Sequence, residues 1–318
     1  MKIDLANPAW RQTLPPARSI AADAPVAALA FSRDGNSVAF ALGDGSVRIL
    51  PADIAAAATG AANPVHGGAA LALVADPAGD GFVSGGDDGR LLRIGADGTA
   101  TELFNQKGQW VDHLVAHKTT GAIAASVGKS AFVVKDGDVR EFGPHQSTVA
   151  DLDFSKDGGR IACAHYGGVT VWSIGQVTLP PRRFAWRGSH VALRWSTDGK
   201  FIATGTQEND IHVWRMAQAT DMRMQGYPAK VKSLSWTADA RFLYTSSQPV
   251  FTAWPFSGKG PEGKPPLQFG EEGAGLLSVV AAHPTAEFVA GGYDSGELQL
   301  GDIKTKRSVA LKIADGSA

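Results

Sequence analysis

The sequence predicts an all-β fold, a seven-bladed β-propeller with four antiparallel strands per blade. Three observations predict it: an internal repeat of 40 to 44 residues, several short strand-like runs in each repeat, and no stretch with the periodicity of an amphipathic helix. Radial repetition of small sheets accommodates 318 residues as one domain. We therefore expect residues 21–318 to form a single propeller, preceded by residues 1–20 as an N-terminal extension or closure strand.

A turn between two apolar runs marks each repeat. The turn markers are Asp34, Asp76, His117, Asp157, Asp198, Asp239 and His283, spaced by 42, 41, 40, 41, 41 and 44 residues. A second marker is the end of the third apolar run. It falls at Leu50, Ile94, Val134, Trp172, Trp214, Trp254 and Leu300. Because two independent markers each occur seven times, the sequence predicts seven blades.

A fourth candidate strand lies between one repeat's third run and the next repeat's first, as at Thr99–Phe104 and Asp138–Phe142. Two segments compete for this position in the last blade. Arg18–Ala22 could supply it from the N-terminus, whereas Ser308–Ile313 follows the last third run directly. We favour the C-terminal segment, with residues 1–20 lying across a face or an edge.

The Asp-Gly pairs are interpreted as turn formers, because Asp hydrogen-bonds nearby backbone and Gly adopts positive φ. They are Asp34-Gly35, Asp44-Gly45, Asp88-Gly89, Asp157-Gly158 and Asp198-Gly199. Their alternative interpretation, as carboxylate pairs for acid–base chemistry, is discarded on this ground. For Gly85-Gly86 and Gly291-Gly292 the alternative is a phosphate-binding loop, which requires a strand that leads into a helix N-terminus. Since the sequence predicts no helix, we set that alternative aside.

The repeats resemble the WD-repeat family over residues 20 to 313, most closely in GPHQSTVADLDFSKDGGRIACAHYGGVTVWS and LRWSTDGKFIATGTQENDIHVWR. In that family a His, an Asp and a Trp often hydrogen-bond within a blade. His145 fits the histidine position of the fourth repeat, but Tyr166 stands where Asp is expected. The acidic position is filled elsewhere by Asp44, Asp88, Glu208 and Asp294, and the Trp position by Trp172, Trp214 and Trp254. No repeat has the full set, so packing must supply most of the stability.

Composition limits the partners and the compartment. Thirty basic and thirty-one acidic side chains give a net charge of -1, so no overall field attracts nucleic acid or anionic membrane. The single Cys163 cannot form an internal disulfide and favours a reducing compartment. The first residues lack the apolar core of a secretory signal, and no run reaches about 18 apolar residues. We expect a cytoplasmic protein that is monomeric by itself and has no nucleic-acid or membrane partner.

Arg182, Arg183, Trp186 and Arg187 come nearest to a nucleic-acid-binding pattern of basic and aromatic residues. Because these residues alternate along a predicted outer strand, we interpret them as a solvated edge. The alternative interpretation is contact with an acidic partner.

The sequence supports no catalytic site and no cofactor. No Ser lies in a G-x-S-x-G elbow, and Cys163 falls within a predicted strand, where it acts as a small apolar filler. The runner-up hypothesis is a metal-binding or metal-dependent propeller, such as a lactonase-like hydrolase with a cation in the channel. Its histidine candidates are His113, His145, His165 and His190, and its acidic or amide candidates are Asp87, Glu208, Asn209 and Asp294.

The preferred hypothesis is a non-catalytic interaction scaffold that binds a protein or peptide on the top face of the propeller. That face collects the loops that join outer to inner strands and second to third strands. Aromatic and Arg side chains among polar neighbours are typical of binding hot spots. The predicted binding-face residues are Trp110, Asp112, His113, His165, Tyr166, Arg187, His190, Tyr227, Lys230, Tyr293 and Asp294.

Overall fold

The computed structural model describes residues 20–53, 60, 62–176, 178–258 and 260–312. These residues form an all-β propeller whose blades are built from four antiparallel strands, as predicted. The described part of the chain contains no helix that is long and apolar enough to cross a membrane.

The first three sheets have four strands each. The first contains β1 (Val26–Phe31), β2 (Ser37–Leu42), β3 (Ser46–Pro51) and β4 (Ala62–Pro64). The second contains β5 (Ala70–Ala75), β6 (Phe82–Gly86), β7 (Arg90–Ile94) and β8 (Ala100–Asn105). The third contains β9 (Val111–His117), β10 (Ala122–Val127), β11 (Ser130–Lys135) and β12 (Asp138–Phe142).

The fourth sheet has six strands. They are β13 (Asp151–Phe154), β14 (Arg160–Ser173), β15 (Arg182–Trp195), β16 (Phe201–Thr206), β17 (Ile211–Arg215) and β18 (Asp221–Met224). The fifth sheet contains β19 (Leu234–Trp236), β20 (Phe242–Thr245), β21 (Phe251–Pro255) and β22 (Leu267–Phe269). The sixth contains β23 (Leu277–Ala282), β24 (Phe288–Tyr293), β25 (Leu298–Asp302) and β26 (Arg307–Lys312).

The prediction of seven blades is corrected to six sheets among the described residues. Strands β14 and β15 are each 14 residues long and run without a break where two shorter strands were expected. Within β14, Gly167 and Gly168 have φ of 91° and 133°, and an added Cβ at Gly168 would approach the Phe184 carbonyl oxygen to 2.1 Å. Glycine thus lets the backbone bend without ending β14, which contains the second and third strands expected for one blade. The two expected blades join along β15, where the last strand expected for one and the first strand expected for the next are continuous through Gly188, with φ of 125°.

The strand pattern explains where the core lies. Every residue of β10 and β16 is buried, whereas four of the five residues of the outer strand β12 are exposed. Burial therefore decreases from the middle of a sheet to its outer edge. Apolar clusters form between successive sheets, for example Ala39, Val47, Leu73 and Phe82 between the first and second.

The chain divides into two compact units between Ala185 and Trp186, inside β15. We call the described residues 20–185 the first unit and the described residues 186–312 the second unit. In the second unit the C-terminal strand β26 is the fourth strand of its sheet and pairs with β25, the position favoured from the sequence. The proposed extension or closure strand at residues 1–20 lies outside the described residues except for Ile20.

The repeated turn after each first strand has a common chemistry. In the turn of Ser196, its hydroxyl donates to Asp198 Oδ1 at 2.7 Å and accepts the backbone N–H of Phe201 at 2.9 Å. The same Ser/Thr-x-Asp arrangement holds Asp34, Asp157 and Asp239. Hydrogen bonds from the Ser hydroxyl and from backbone N–H groups lower the pKa of Asp34 and Asp157. These carboxylates stabilise turns, as the sequence predicts.

Candidate functional site

Histidine and tryptophan meet within the fourth sheet as the resemblance implies. The Trp172 Nε1–H donates to His145 Nε2 at 3.0 Å, and His145 Nδ1 donates to the Lys129 carbonyl at 2.8 Å. Both ring nitrogens of His145 are therefore used, and the ring is buried. This pair ties the loop before β13 to the third-strand part of β14.

A second histidine with a structural role was missed in the sequence. His66 Nδ1 donates to Asp88 Oδ1 at 3.0 Å, and its Nε2 accepts from the Ser84 hydroxyl at 3.0 Å. The available signal was spacing: 22 residues separate His66 from Asp88, close to the 21 that separate His145 from Tyr166. This Ser-His-Asp set connects the loop before β5 to β6 and to the turn between β6 and β7, and the half-buried Asp88 also accepts the Gly67 N–H at 2.9 Å.

Tyrosine replaces histidine in the fifth sheet. The Tyr227 hydroxyl accepts from Trp254 Nε1 at 2.6 Å and lies 2.9 Å from the Thr245 hydroxyl. Burial raises the pKa of Tyr227 to about 12, so the phenol stays protonated. The side chain predicted to contact a partner is instead an internal brace.

We expect Tyr227→Phe to lower the free energy of unfolding by about 1–3 kcal/mol, because the buried Trp254 N–H loses its acceptor. The matched control is Tyr166→Phe, which removes the same hydroxyl from a side chain that is 47% exposed. Urea unfolding of both variants measures the difference. Equal changes in the two would show that the Tyr227 hydroxyl contributes no more than a solvated one.

Four of the predicted binding-face residues lie in the interior. They are His165, His190, Tyr227 and Tyr293, each less than a tenth exposed. His165 donates from Nδ1 to the Tyr166 carbonyl and contacts Thr170 through Nε2, both at 2.8 Å. His190 contacts the Thr204 hydroxyl at 2.8 Å. These four side chains belong to the blade interior and not, as predicted, to an exposed surface.

The histidine metal candidates do not form a metal-ligand cluster in the described residues. No group of three or more His, Cys, Asp or Glu suited to holding an ion occurs there. The His145 and His165 rings lie 5.4 Å apart, and all four of their ring nitrogens have protein hydrogen-bond partners. His113 is half-buried, and its backbone N–H donates to the Ser126 hydroxyl.

The remaining predicted residues lie closer to solvent. Arg187, Lys230 and Asp294 are exposed in the second unit, where Asp294 Oδ1 accepts the Leu276 N–H at 3.0 Å. In the first unit Trp110 is 63% exposed and Tyr166 47%. Trp110 is the one tryptophan among the described residues that is mostly exposed.

The loop that contains Ser147 and Thr148 contributes both to the cleft lined by Trp110 and to a hydrogen bond with Tyr166. Trp110, Asp112 and Thr148 line a cleft of about 280 Å³. The neighbouring Ser147 hydroxyl accepts the Tyr166 backbone N–H at 2.8 Å. Asp112 is held by the Ser126 hydroxyl, which donates to its Oδ1 at 2.6 Å. We call Trp110, Asp112, Ser147, Thr148 and Tyr166 the 110/166 surface.

A larger cleft adjoins Tyr166 on the same loop. It has a volume of about 440 Å³ and is lined by Pro144, His145, Gln146, His165, Gly167, Val169, Thr170, Trp172, Arg183, Phe184 and Ala185. Arg183 carries the only full charge in this lining. We call this cavity the Arg183 cleft.

Three buried imidazoles have lowered pKa values. Burial lowers the pKa of His66 and His145 below 6.5, and it lowers the pKa of His212 to about 4. His212 stacks on Trp186 with ring centroids 4.0 Å apart, and its Nε2 lies 3.1 Å from Asp221 Oδ2. These rings are neutral in the folded protein at pH 7.

The free energy of unfolding should therefore fall as the pH drops from about 6.5 towards 4. In that interval the unfolded chain binds protons on these histidines that the folded chain does not bind. Urea unfolding at pH 7.5, 6 and 5 measures the slope. His145→Gln should give a shallower slope than the wild type. A stability that stays constant from pH 7.5 to 5 would contradict the assignment of neutral buried rings.

Cys163 does not offer a nucleophile. It is fully buried in β14, and burial raises the pKa of its thiol. Since the thiolate is the reactive form, the side chain is inert at neutral pH. The sequence interpretation of Cys163 as a core filler agrees with its place among Ile161, Leu152 and Val149.

The fold and the His–Trp pair are similar to those of WD-repeat β-propellers. A family model described as WD domain, G-beta repeat matches residues 137–173 and 184–215, which include β12, β14 and most of β15 to β17. The two matches together cover 69 of the 318 residues.

The chain is similar to actin-interacting protein 1 of Caenorhabditis elegans. The two are 28% identical over 141 residues, which amount to 44% of this chain. The matched segment covers 21% of the length of that relative. The similarity therefore concerns a part of the larger protein.

Proposed function

We propose that this protein is a non-catalytic interaction scaffold that binds a protein or peptide partner through the 110/166 surface. The observation that carries the proposal is the exposed indole of Trp110 beside a cleft, together with a second exposed aromatic, Tyr166, whose backbone is hydrogen-bonded to the loop that borders this cleft. Trp and Tyr are the side chains most often responsible for binding energy at protein interfaces. In water, an exposed indole contributes little to folding, whereas a partner that covers it gains its apolar area.

The chemistry of the buried groups supports binding over catalysis. The imidazoles of His66, His145 and His165 have hydrogen-bond partners on both nitrogens, and the Cys163 thiol is protonated. A general base needs a free nitrogen within reach of a substrate proton. The name of the actin-interacting relative is in keeping with a protein partner, and actin is the first defined partner to test.

The test uses a Trp110→Ala/Tyr166→Ala double variant. Partners recovered from cell extract with the wild type are identified and purified, and their affinities are then measured directly by calorimetry, with actin measured in parallel. Loss of one central aromatic typically costs 2 kcal/mol or more, which is about a 30-fold weakening of Kd. Phe31→Ala is the matched control, because Phe31 is 59% exposed and lies outside the 110/166 surface. Partners bound equally by the wild type and the double variant would refute the proposal.

We also propose that the protein acts as a monomer in the cytoplasm. The support is its one cysteine, which is buried and forms no disulfide among the described residues, and its nearly balanced charge. Light scattering should give the mass of one chain, 33.1 kDa. Fluorescence microscopy of a tagged chain in its native host tests the location.

A further inference from the structure

The Arg183 cleft is unusual in its charge. Its lining includes one guanidinium and two imidazoles but no Asp or Glu. Arg183 is exposed, and it has no ion pair or hydrogen bond within the described part of the chain. Most other arginines in the first unit are paired: Arg48 with Asp23, Arg90 with Glu102 and Arg93 with Asp76. The positive charge at this cleft is therefore not compensated by the protein.

The neighbouring residue gives a direct comparison. Arg182 lies on the same strand, and its guanidinium carbon is 5.0 Å from the centre of the Phe184 ring. Cation–π contact of this kind partly satisfies a guanidinium. Arg183 instead interacts electrostatically with the buried His145, because its positive charge contributes to the lowered pKa of that imidazole. The two adjacent arginines thus have different surroundings.

Few donors in the cleft are free. His145 and His165 use both of their nitrogens within the protein, so neither ring is free to bind a ligand. The side chains of Arg183 and Gln146 both line the cleft and have no hydrogen bond among the described residues. A guanidinium presents several N–H groups in a planar fork that matches two oxygens of a carboxylate or phosphate. An amide N–H can complete the contact.

The remaining residues of the cleft lining determine the size and polarity of the ligand that it can hold. Val169, Phe184 and Trp172 supply apolar surface. The exposed Tyr166 lies between His165 and Gly167 in the chain, and both of these residues line the cleft. A volume of about 440 Å³ is sufficient for a side chain and its neighbouring backbone, and it lies within the range of small-ligand pockets. An anionic group carried on an extended peptide suits this combination.

We propose that the Arg183 cleft binds an acidic side chain of a peptide segment, with its anionic oxygens held by the Arg183 guanidinium and the Gln146 amide. The inference rests on the proposed function, because the segment belongs to a partner that also covers Tyr166. A carboxylate and a phosphoserine share the required chemistry. The experiment distinguishes them.

The probes are terminally blocked hexapeptides of one neutral sequence whose central residue is Glu, phosphoserine or Gln. Binding is followed by the NMR shift of the Arg183 Nε–Hε signal and by the fluorescence of the tryptophans. We expect the Glu or the phosphoserine peptide to bind at least tenfold more tightly than the Gln peptide. Arg183→Gln should abolish this preference, and the matched Arg182→Gln should retain it. The acidic peptide that binds more tightly identifies the source of the anion.

Two outcomes overturn the inference. One is equal affinity for all three peptides, and the other is an equal loss in the Arg182 and Arg183 variants, which indicates general attraction to a basic edge. These outcomes are separate from the test of the proposed function. If the Trp110/Tyr166 variant loses its partner but the wild type shows no peptide preference, the scaffold proposal is supported and the proposal for the Arg183 cleft is refuted. An Arg183-dependent preference with full partner binding in that variant refutes the 110/166 surface instead.

Discussion

Replacement of Phe251 by alanine is expected to lower the free energy of unfolding by about 3–5 kcal/mol, the range for Phe deletions in cores. Phe251 is fully buried in β21 and stacks on Phe269, with ring centroids 5.5 Å apart. It belongs to the apolar cluster between the fifth and sixth sheets, with Leu277 and Val289. Deleting the ring removes its contacts from both sheets at once.

Two glycines bring backbone into close contact with the Phe251 ring. A Cβ added at Gly291 would approach Phe251 Cε1 to 2.8 Å, and one added at Gly301 would approach its Cδ2 to 2.8 Å. Backbone, which cannot rotate into a cavity as a side chain can, therefore lies against the ring at these two positions. Because the cost of a large-to-small change rises with the volume left unfilled, we expect a value near the upper end of the range.

The matched control is Phe31→Ala, which deletes the same ring from a site that is 59% exposed. Surface changes of this kind usually alter stability by less than about 0.5 kcal/mol. Urea unfolding followed by tryptophan fluorescence measures both. A loss below about 1.5 kcal/mol for Phe251→Ala would mean that the two sheets can close over the missing ring.

The repeat period predicts where strands begin and end because turn chemistry is local. All seven turn markers fall where a first strand ends or in the turn that follows it, from Asp34 after β1 to His283 after β23. The number of sheets is less local. It depends on whether β15 continues through Gly188, and a glycine between two strand-like runs is equally consistent with a turn. The period alone therefore overestimated the number of separate blades.

The exposure of the predicted site residues, like the number of sheets, depends on the fold as well as on the local sequence. Trp110 and Tyr166 were predicted to be surface residues and are exposed, but Tyr227 was predicted alongside them and is buried. Tyr227 occupies the position of the family's histidine, where a phenol can also bond to Trp254. The substitution preserves the hydrogen bond while removing the motif. A pattern search based on residue type cannot detect it.

Gly45 and Gly35 occur in the same Asp-Gly motif but differ strongly in the space available for an added Cβ. Both follow an Asp in the first sheet, and both have positive φ, 84° and 77°. The sequence treats them alike. An added Cβ at Gly45 would lie 2.0 Å from the Gly68 carbonyl oxygen and 2.6 Å from that of His66, whereas at Gly35 nothing lies within 4 Å.

We expect Gly35→Ala to cost about 1–2 kcal/mol, from the left-handed backbone conformation alone. Gly45→Ala should carry the same strain plus about 1–3 kcal/mol, because backbone cannot rotate away from a new methyl group as a side chain can. The Gly45 carbonyl also accepts the His66 N–H at 3.0 Å, so displacing this segment should disturb the His66–Asp88 hydrogen bond. Urea unfolding of the two variants measures the difference in stability.

The His66 imidazole provides a second, local measurement. Its NMR signals should shift in Gly45→Ala and stay unchanged in Gly35→Ala, because only the first variant presses on the backbone that holds the ring. Equal losses of stability, with the His66 signals unmoved in both, would show that the loop before β5 gives way freely. In that case the positive φ would be the whole reason for glycine at position 45, and the close approach of the two backbones would contribute nothing to it.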